Sequence, residues 1–245
     1  MPRGVHWFKY EAYFTWLSGF GLLFVVYYFN AEGMLLKAGD NYLNSTSAII
    51  VGIASLAVGY AIYHFLSLTP LLKKPLYFGI TLFAILIGFA YFYTEVFNPR
   101  AAFIHFGALI GTLMAGNVFF VIIPAQKAMV KATKENAYLD PAIGQFAGLR
   151  SFHNNYFTLP VLFVMISNHF PSTYGHEYPW LILALITIAS AAAKHYLNLK
   201  EKNQQSVWVI PIATLILIST VFITCLLYTS PSPRDATLSR MPSSA

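Results

Sequence analysis

Seven runs of about 20 mostly apolar residues constrain most strongly what this chain can fold into, because a helix of that length crosses a bilayer. Only 10% of the 245 residues are charged, whereas a soluble domain carries about 25%. We therefore predict an all-α, polytopic membrane helix bundle. Its seven predicted transmembrane helices are residues 13–30, 48–68, 76–94, 101–124, 149–167, 180–196 and 207–227.

Lys and Arg between these runs predict the orientation, because cytoplasmic loops of membrane proteins are enriched in them. One side has only Lys37 and Arg100. The other has Arg3, Lys9, Lys73, Lys74, Lys127, Lys131, Lys134, Arg150, Lys194, Lys200 and Lys202. We predict a protein of the bacterial inner membrane with a cytoplasmic amino end and a seventh helix that ends in the periplasm. Basic residues spread between apolar runs do not form a nucleic-acid-binding face.

The domain organisation follows from a change of composition near the carboxyl end. Residues 1–227 are predicted to form one transmembrane domain. Residues 228–245 are rich in Ser and Pro, cannot bury a core, and are interpreted as a disordered, non-native tail. The single cysteine, Cys225, excludes a disulfide framework, a cysteine zinc site and a C-x-x-C-H haem attachment within this chain.

The densest polar cluster is RSFHNNY, residues 150–156, at the start of the predicted fifth helix. Arg150 offers a planar fork for an anion and His153 a proton acceptor near neutral pH, so both are candidate catalytic residues. Asn154 and Asn155 offer amides for the edge of a heterocycle and are candidate substrate ligands. A helix start would add a favourable dipole for an anion. The alternative is a polar cap, with Ser151 as N-cap and Arg150 as a topology charge.

Two amides near the cytoplasmic half of the fourth run, Asn117 and Gln126, are further candidate substrate ligands. Their alternative role is a hydrogen bond between helices. Residues 125–148 after this run are expected to form a long polar loop, with a turn at Asp140-Pro141. Within the run, Gly107, Gly111 and Ala115 have the four-residue spacing that allows close helix packing.

His105, one turn into the fourth run at its periplasmic end, is a candidate ligand of haem iron. No second histidine lies three or four residues away. A histidine hydrogen-bonded to a carbonyl is the alternative interpretation. His64, at the wet end of the second run, is interpreted as an interfacial residue.

Three stretches carry a resemblance to a known family: HWFKYEAYFTWLSGF (6–20), IHFGALIGTLMAGNVFFVIIPAQ (104–126) and RSFHNNYFTLPVLFVMISNHFPSTYGH (150–176). They resemble the urate oxidase amino-terminal domain family, over residues 6 to about 224. The resemblance implies an eight-helix membrane domain followed by a cytochrome c domain. It implies oxidation of urate to 5-hydroxyisourate, with electrons passed to the c-type haem.

On this resemblance, Arg150, His153, Asn154 and Asn155 would hold urate, and His153 would act as the base. A b-type haem on His105 would relay electrons. One family helix and the cytochrome are not found in the chain, so we expect it to turn over at most once by itself. Two other functions stay open: a transporter or channel for an anionic purine, and a membrane anchor for a cytochrome c domain.

Overall fold

The computed structural model describes residues 3–37, 43–167, 169–203 and 208–228, and these are helical with no strand among them. The predicted all-α fold is confirmed. The α-helices are α1 (Arg3–Leu23), α2 (Ala31–Met34), α3 (Ser45–Leu66), α4 (Pro75–Val96), α5 (Pro99–Gly116), α6 (Ile123–Glu135), α7 (Pro141–Ser167), α8 (Pro171–Tyr174), α9 (Pro179–Glu201) and α10 (Val209–Tyr228). Residues 229–245, which contain nearly all of the predicted tail, lie outside the described residues.

Four helical stretches are long and apolar enough to cross a membrane: Ser45–Leu66, Pro75–Val96, Pro99–Glu135 and Pro179–Glu201. Val209–Thr224 is a shorter apolar helix. Helices also cover the described parts of the other predicted runs, 13–30 and 149–167. A bundle of membrane-type helices is therefore established, whereas the number of seven spans stays a prediction.

Large apolar side chains cover the outside of the bundle. Phe14 on α1, Ile50 on α3, Ile80 on α4 and Leu215 on α10 are each about 60% exposed or more. In a water-soluble bundle these outward positions would be polar, whereas in a bilayer they contact lipid. The exposed apolar surface thus agrees with the low content of charged residues, and both are typical of a membrane protein.

The core forms around α5, which packs against α1, α3, α4 and α7. The predicted small-residue spacing explains only part of this packing. A methyl group on Gly107 would meet Val164, but one on Gly111 would meet open space. The closest approaches are at Gly59, against Leu109, and at Gly116, against the ring of Tyr60.

Two wide, π-helical turns interrupt the regular helices, at Phe24–Tyr28 after α1 and at Asn117–Ile122 after α5. Each extra residue in such a turn changes which side chains face inward. Tyr28 at the end of the first turn and Asn117 at the start of the second are both buried. The irregular turns therefore place polar side chains inside the bundle.

The predicted long loop over 125–148 is wrong, because both of its ends are helical. α6 continues to Glu135, and Asn136 ends it in a left-handed conformation with φ 46°. α7 begins at Pro141, where the Asp140 carboxylate accepts from the Ala142 N–H at 2.9 Å. Asp140-Pro141 forms the capped start of α7 and not a turn within a loop, and only residues 136–140 form the connection.

Candidate functional site

Arg150 lies inside α7, nine residues after the helix begins at Pro141. The prediction of a helix start at RSFHNNY is therefore wrong, and Ser151 is not an N-cap. The positive end of the helix dipole acts within the first turn, so it does not contribute at Arg150. Arg150 is also not an exposed topology charge, because its exposure is 0%.

The Arg150 guanidinium is held by neutral groups. Nη1 donates to Asn117 Oδ1 at 3.2 Å, and Nη2 lies 3.3 Å from His64 Nδ1 and 3.4 Å from the His64 carbonyl oxygen. The rings of Tyr63 and Phe146 lie 4.6 and 5.0 Å from the guanidinium carbon. None of these described partners is a carboxylate, and Arg150 Nε is buried without a hydrogen bond.

The guanidinium sets the direction of the hydrogen bonds around it, because arginine only donates. The Asn117 atom facing it must be Oδ1, so Asn117 Nδ2 donates on the other side. It donates to the Tyr63 hydroxyl at 2.9 Å and to Asn154 Oδ1 at 2.8 Å. Asn154 Nδ2 in turn donates to the Met114 carbonyl at 3.0 Å. The two amides are fully oriented by the positive charge.

The two histidines of the cluster are oriented in the same way. The Tyr63 hydroxyl lies 2.9 Å from His153 Nδ1, and since its oxygen already accepts from Asn117 its proton is directed to that nitrogen. His64 Nδ1 faces the guanidinium and must also accept. The Nε2 atom of each ring makes no hydrogen bond within the described residues.

The arrangement is suited to an acceptor ligand with negative charge. Three nitrogens of the cluster make no hydrogen bond within the described residues: Arg150 Nε, which is a donor, and Nε2 of His64 and His153. His153 is fixed against the buried Phe78, with ring centroids 4.8 Å apart. Phe146 and His64, both partly exposed, lie against the guanidinium.

The comparison with protein families now adds to this geometry. Residues 1–225 match the family described as urate oxidase N-terminal. The chain belongs to this family. No curated protein and no solved structure matches the chain.

In this urate oxidase N-terminal chain, four predicted site residues come together: Arg150, His153, Asn154 and Asn117. Asn155 does not join them, because it lies on the adjacent face of α7. There it donates to Asn198 Oδ1 on α9 at 2.7 Å. Gln126, half-buried on α6, makes no side-chain hydrogen bond among the described residues.

The sequence analysis missed three residues of the family's candidate site, Tyr63, His64 and Phe146. His64 was interpreted as interfacial, yet its backbone and side chain both contact Arg150. The sequence did contain a signal. Tyr63 and His64 lie near the end of the second run and Arg150 lies at the start of the fifth, so all three were predicted on the same side of the membrane. A comparison of how deep the polar residues of each run lie in the membrane would have grouped Tyr63 and His64 with Arg150.

His105 belongs to a separate, outer cluster and is fully buried. Its Nδ1 donates to the Ala101 carbonyl at 2.8 Å, and Nε2 accepts from the Tyr28 hydroxyl at 2.9 Å. A methyl group on Gly52 would lie 2.9 Å from Nε2, so the space beside this nitrogen is filled. As arranged, His105 does not fit an iron ligand, and the assignment of a haem stays an untested prediction.

Proposed function

We propose that this chain is the membrane part of an enzyme that oxidises urate to 5-hydroxyisourate. Membership of the urate oxidase N-terminal family supports a urate-related function. The conversion adds one water to urate and releases two electrons and two protons. We further propose that a cytochrome c domain or protein receives the electrons.

The observation that carries the proposal is the buried guanidinium, which has no carboxylate partner among the described residues. An ionised side chain inside a protein costs several kcal/mol unless an opposite charge compensates it. Urate is an anion near neutral pH and presents carbonyl oxygens along its edges. Bound against Arg150, it would supply the compensating charge and acceptors for the unused N–H groups.

The chain's own residues have distinct roles in this proposal. Arg150 binds the anion, while Asn117 and the Tyr63 ring hold the guanidinium plane in place. Asn154 orients Asn117 through its amide oxygen. His153 is the imidazole next to the ligand, and no step is assigned to a haem because both nitrogens of His105 are engaged.

The proposed enzyme crosses the bacterial inner membrane seven times. Four helices have the length and composition that this requires, and the exposed apolar side chains of α1, α7 and α10 support three more spans. The excess of Lys and Arg on one side supports a cytoplasmic amino end and a periplasmic end for α10. Electrons would then leave on the periplasmic side.

Transport of an anionic purine is the second candidate function, because the π-helical turn at Asn117 interrupts a membrane helix next to the binding cluster. Interrupted helices with polar groups in mid-membrane are typical of transporters. An oxidase consumes urate, whereas a transporter moves it unchanged. The two functions are therefore separable in one experiment.

Sealed membrane vesicles containing the chain are incubated with urate and a one-electron acceptor. We expect urate absorbance to fall while two acceptor molecules are reduced per urate, and both changes to stop in Arg150→Gln. Arg100→Gln, which removes an exposed arginine, is the matched control and should behave as wild type. Accumulation of unchanged urate inside the vesicles would contradict the oxidase and support transport. Unchanged urate without accumulation would contradict both.

A further inference from the structure

We propose that Tyr63 is a positioning residue that holds His153 with its proton on Nε2, so that His153 serves the bound anion as a hydrogen-bond donor. The proposal deepens the proposed function and rests on it for the identity of the anion. It replaces the expectation, drawn from the resemblance, that His153 is the base.

Arg150 can act only as a hydrogen-bond donor, and this fixes the roles of its neighbours. Arg150 cannot accept a hydrogen bond, so its contact of 3.2 Å with Asn117 identifies the amide oxygen. The amide nitrogen of Asn117 then donates to the Tyr63 oxygen at 2.9 Å. The single proton of the Tyr63 hydroxyl is left for His153 Nδ1, also at 2.9 Å.

The same contacts disfavour the reverse direction. If His153 Nδ1 carried a proton, it would donate to the Tyr63 oxygen, and the hydroxyl proton would need another acceptor. Tyr63 is 1% exposed, and two of its other side-chain partners, Asn117 and Arg150, can only donate to it. The third, the Ser67 hydroxyl, is already engaged with the Tyr63 carbonyl oxygen at 2.8 Å. A buried hydroxyl proton without an acceptor is unfavourable. The Tyr63 hydroxyl therefore donates to the Nδ1 lone pair of His153.

The consequence is that His153 can only donate to a ligand. It has no lone pair left for a substrate proton while Tyr63 occupies Nδ1, but its Nε2–H is unused within the described residues. His153 therefore selects a ligand edge that presents an acceptor to this nitrogen. A deprotonated purine with neighbouring carbonyl oxygens meets this requirement.

The tautomer is measured directly by ¹⁵N NMR of the full chain in lipid nanodiscs, since a ring nitrogen with a proton and one without resonate far apart. His153 signals are assigned by their absence in His153→Gln. We expect the wild type to show Nε2–H and a bare Nδ1. In Tyr63→Phe, which keeps the ring beneath Arg150, we expect both tautomers. A wild type with Nδ1–H, or an unchanged spectrum in Tyr63→Phe, would overturn the proposal.

Urate titrations separate the donor role from a purely structural one. Glutamine can place an N–H donor near the position of Nε2 but cannot act as a base, so His153→Gln should bind urate within about threefold of wild type. His153→Leu should bind at least about tenfold more weakly, as expected for the loss of a hydrogen bond to a charged ligand. Equal binding by His153→Leu and wild type would refute the donor role. Absence of urate binding by the wild type would instead contradict the proposed function, and the NMR result would still decide the role of Tyr63.

Discussion

At the scale of single residues, the buried guanidinium of Arg150 has no neutralising carboxylate in the part of the chain that the structure describes. Its partners are an amide, an imidazole and two rings. Stacking on aromatic rings contributes about 0.5–2 kcal/mol, which is less than the several kcal/mol that burial of the charge costs. The remaining cost is what an anionic ligand would offset.

A carboxylate placed beside this guanidinium should compete with the ligand. In Asn117→Asp, an oxygen would take the position 3.2 Å from Arg150 Nη1 and form an ion pair. We expect the variant to fold and to bind urate at least about tenfold more weakly, because the positive charge is already compensated. Calorimetric titration of the purified protein measures the change.

Asn155→Asp is the matched control, because Asn155 faces Asn198 on α9 and not Arg150. It should bind urate as the wild type does. Equal loss in both variants would show that any added negative charge on this part of the bundle weakens binding. Wild-type affinity in Asn117→Asp would remove Arg150 as the anion ligand.

At the scale of the helices, the apolar runs predicted the helices well but not the turns that position the site. Length and composition are sufficient for a membrane helix. In contrast, the π-helical turn at Asn117–Ile122 contains only apolar residues after Asn117, and these give no sign of an irregular turn. The continuation of α7 back to Pro141 was missed because Pro141, Gly144 and Gly148 are residues typical of loops.

Gly116 is expected to be required where α5 enters this turn. A methyl group there would overlap the ring of Tyr60, whose hydroxyl donates to the Gly116 carbonyl at 3.2 Å. Gly116→Ala should lower the free energy of unfolding by about 1–3 kcal/mol, as overpacking does. Thermal unfolding in detergent, followed by circular dichroism, measures the loss.

Gly111→Ala provides the comparison on the same helix, because a methyl group at Gly111 meets nothing within 4 Å. It should unfold at the wild-type temperature or slightly above, since alanine favours the helix more than glycine does. If both variants are equally destabilised, the effect belongs to α5 as a whole and not to the contact with Tyr60.

At the scale of the whole molecule, the site exists only when the bundle is assembled. Tyr63 and His64 come from α3, Asn117 from the turn after α5, and Arg150, His153 and Asn154 from α7. The sequence predicted Arg150, His153, Asn154 and Asn117 as polar residues in apolar surroundings. It could not separate Asn154 from Asn155, because adjacent residues on a helix face different neighbours only once the packing is known.

The binding of urate to Arg150 is tested most directly by equilibrium titration of the purified, lipid-embedded chain with urate. We predict saturable binding by the wild type and by Arg100→Gln. Arg150→Gln should bind at least about thirtyfold more weakly, as expected when one partner of a buried charge pair is removed. Wild-type affinity in a folded Arg150→Gln protein would contradict the account.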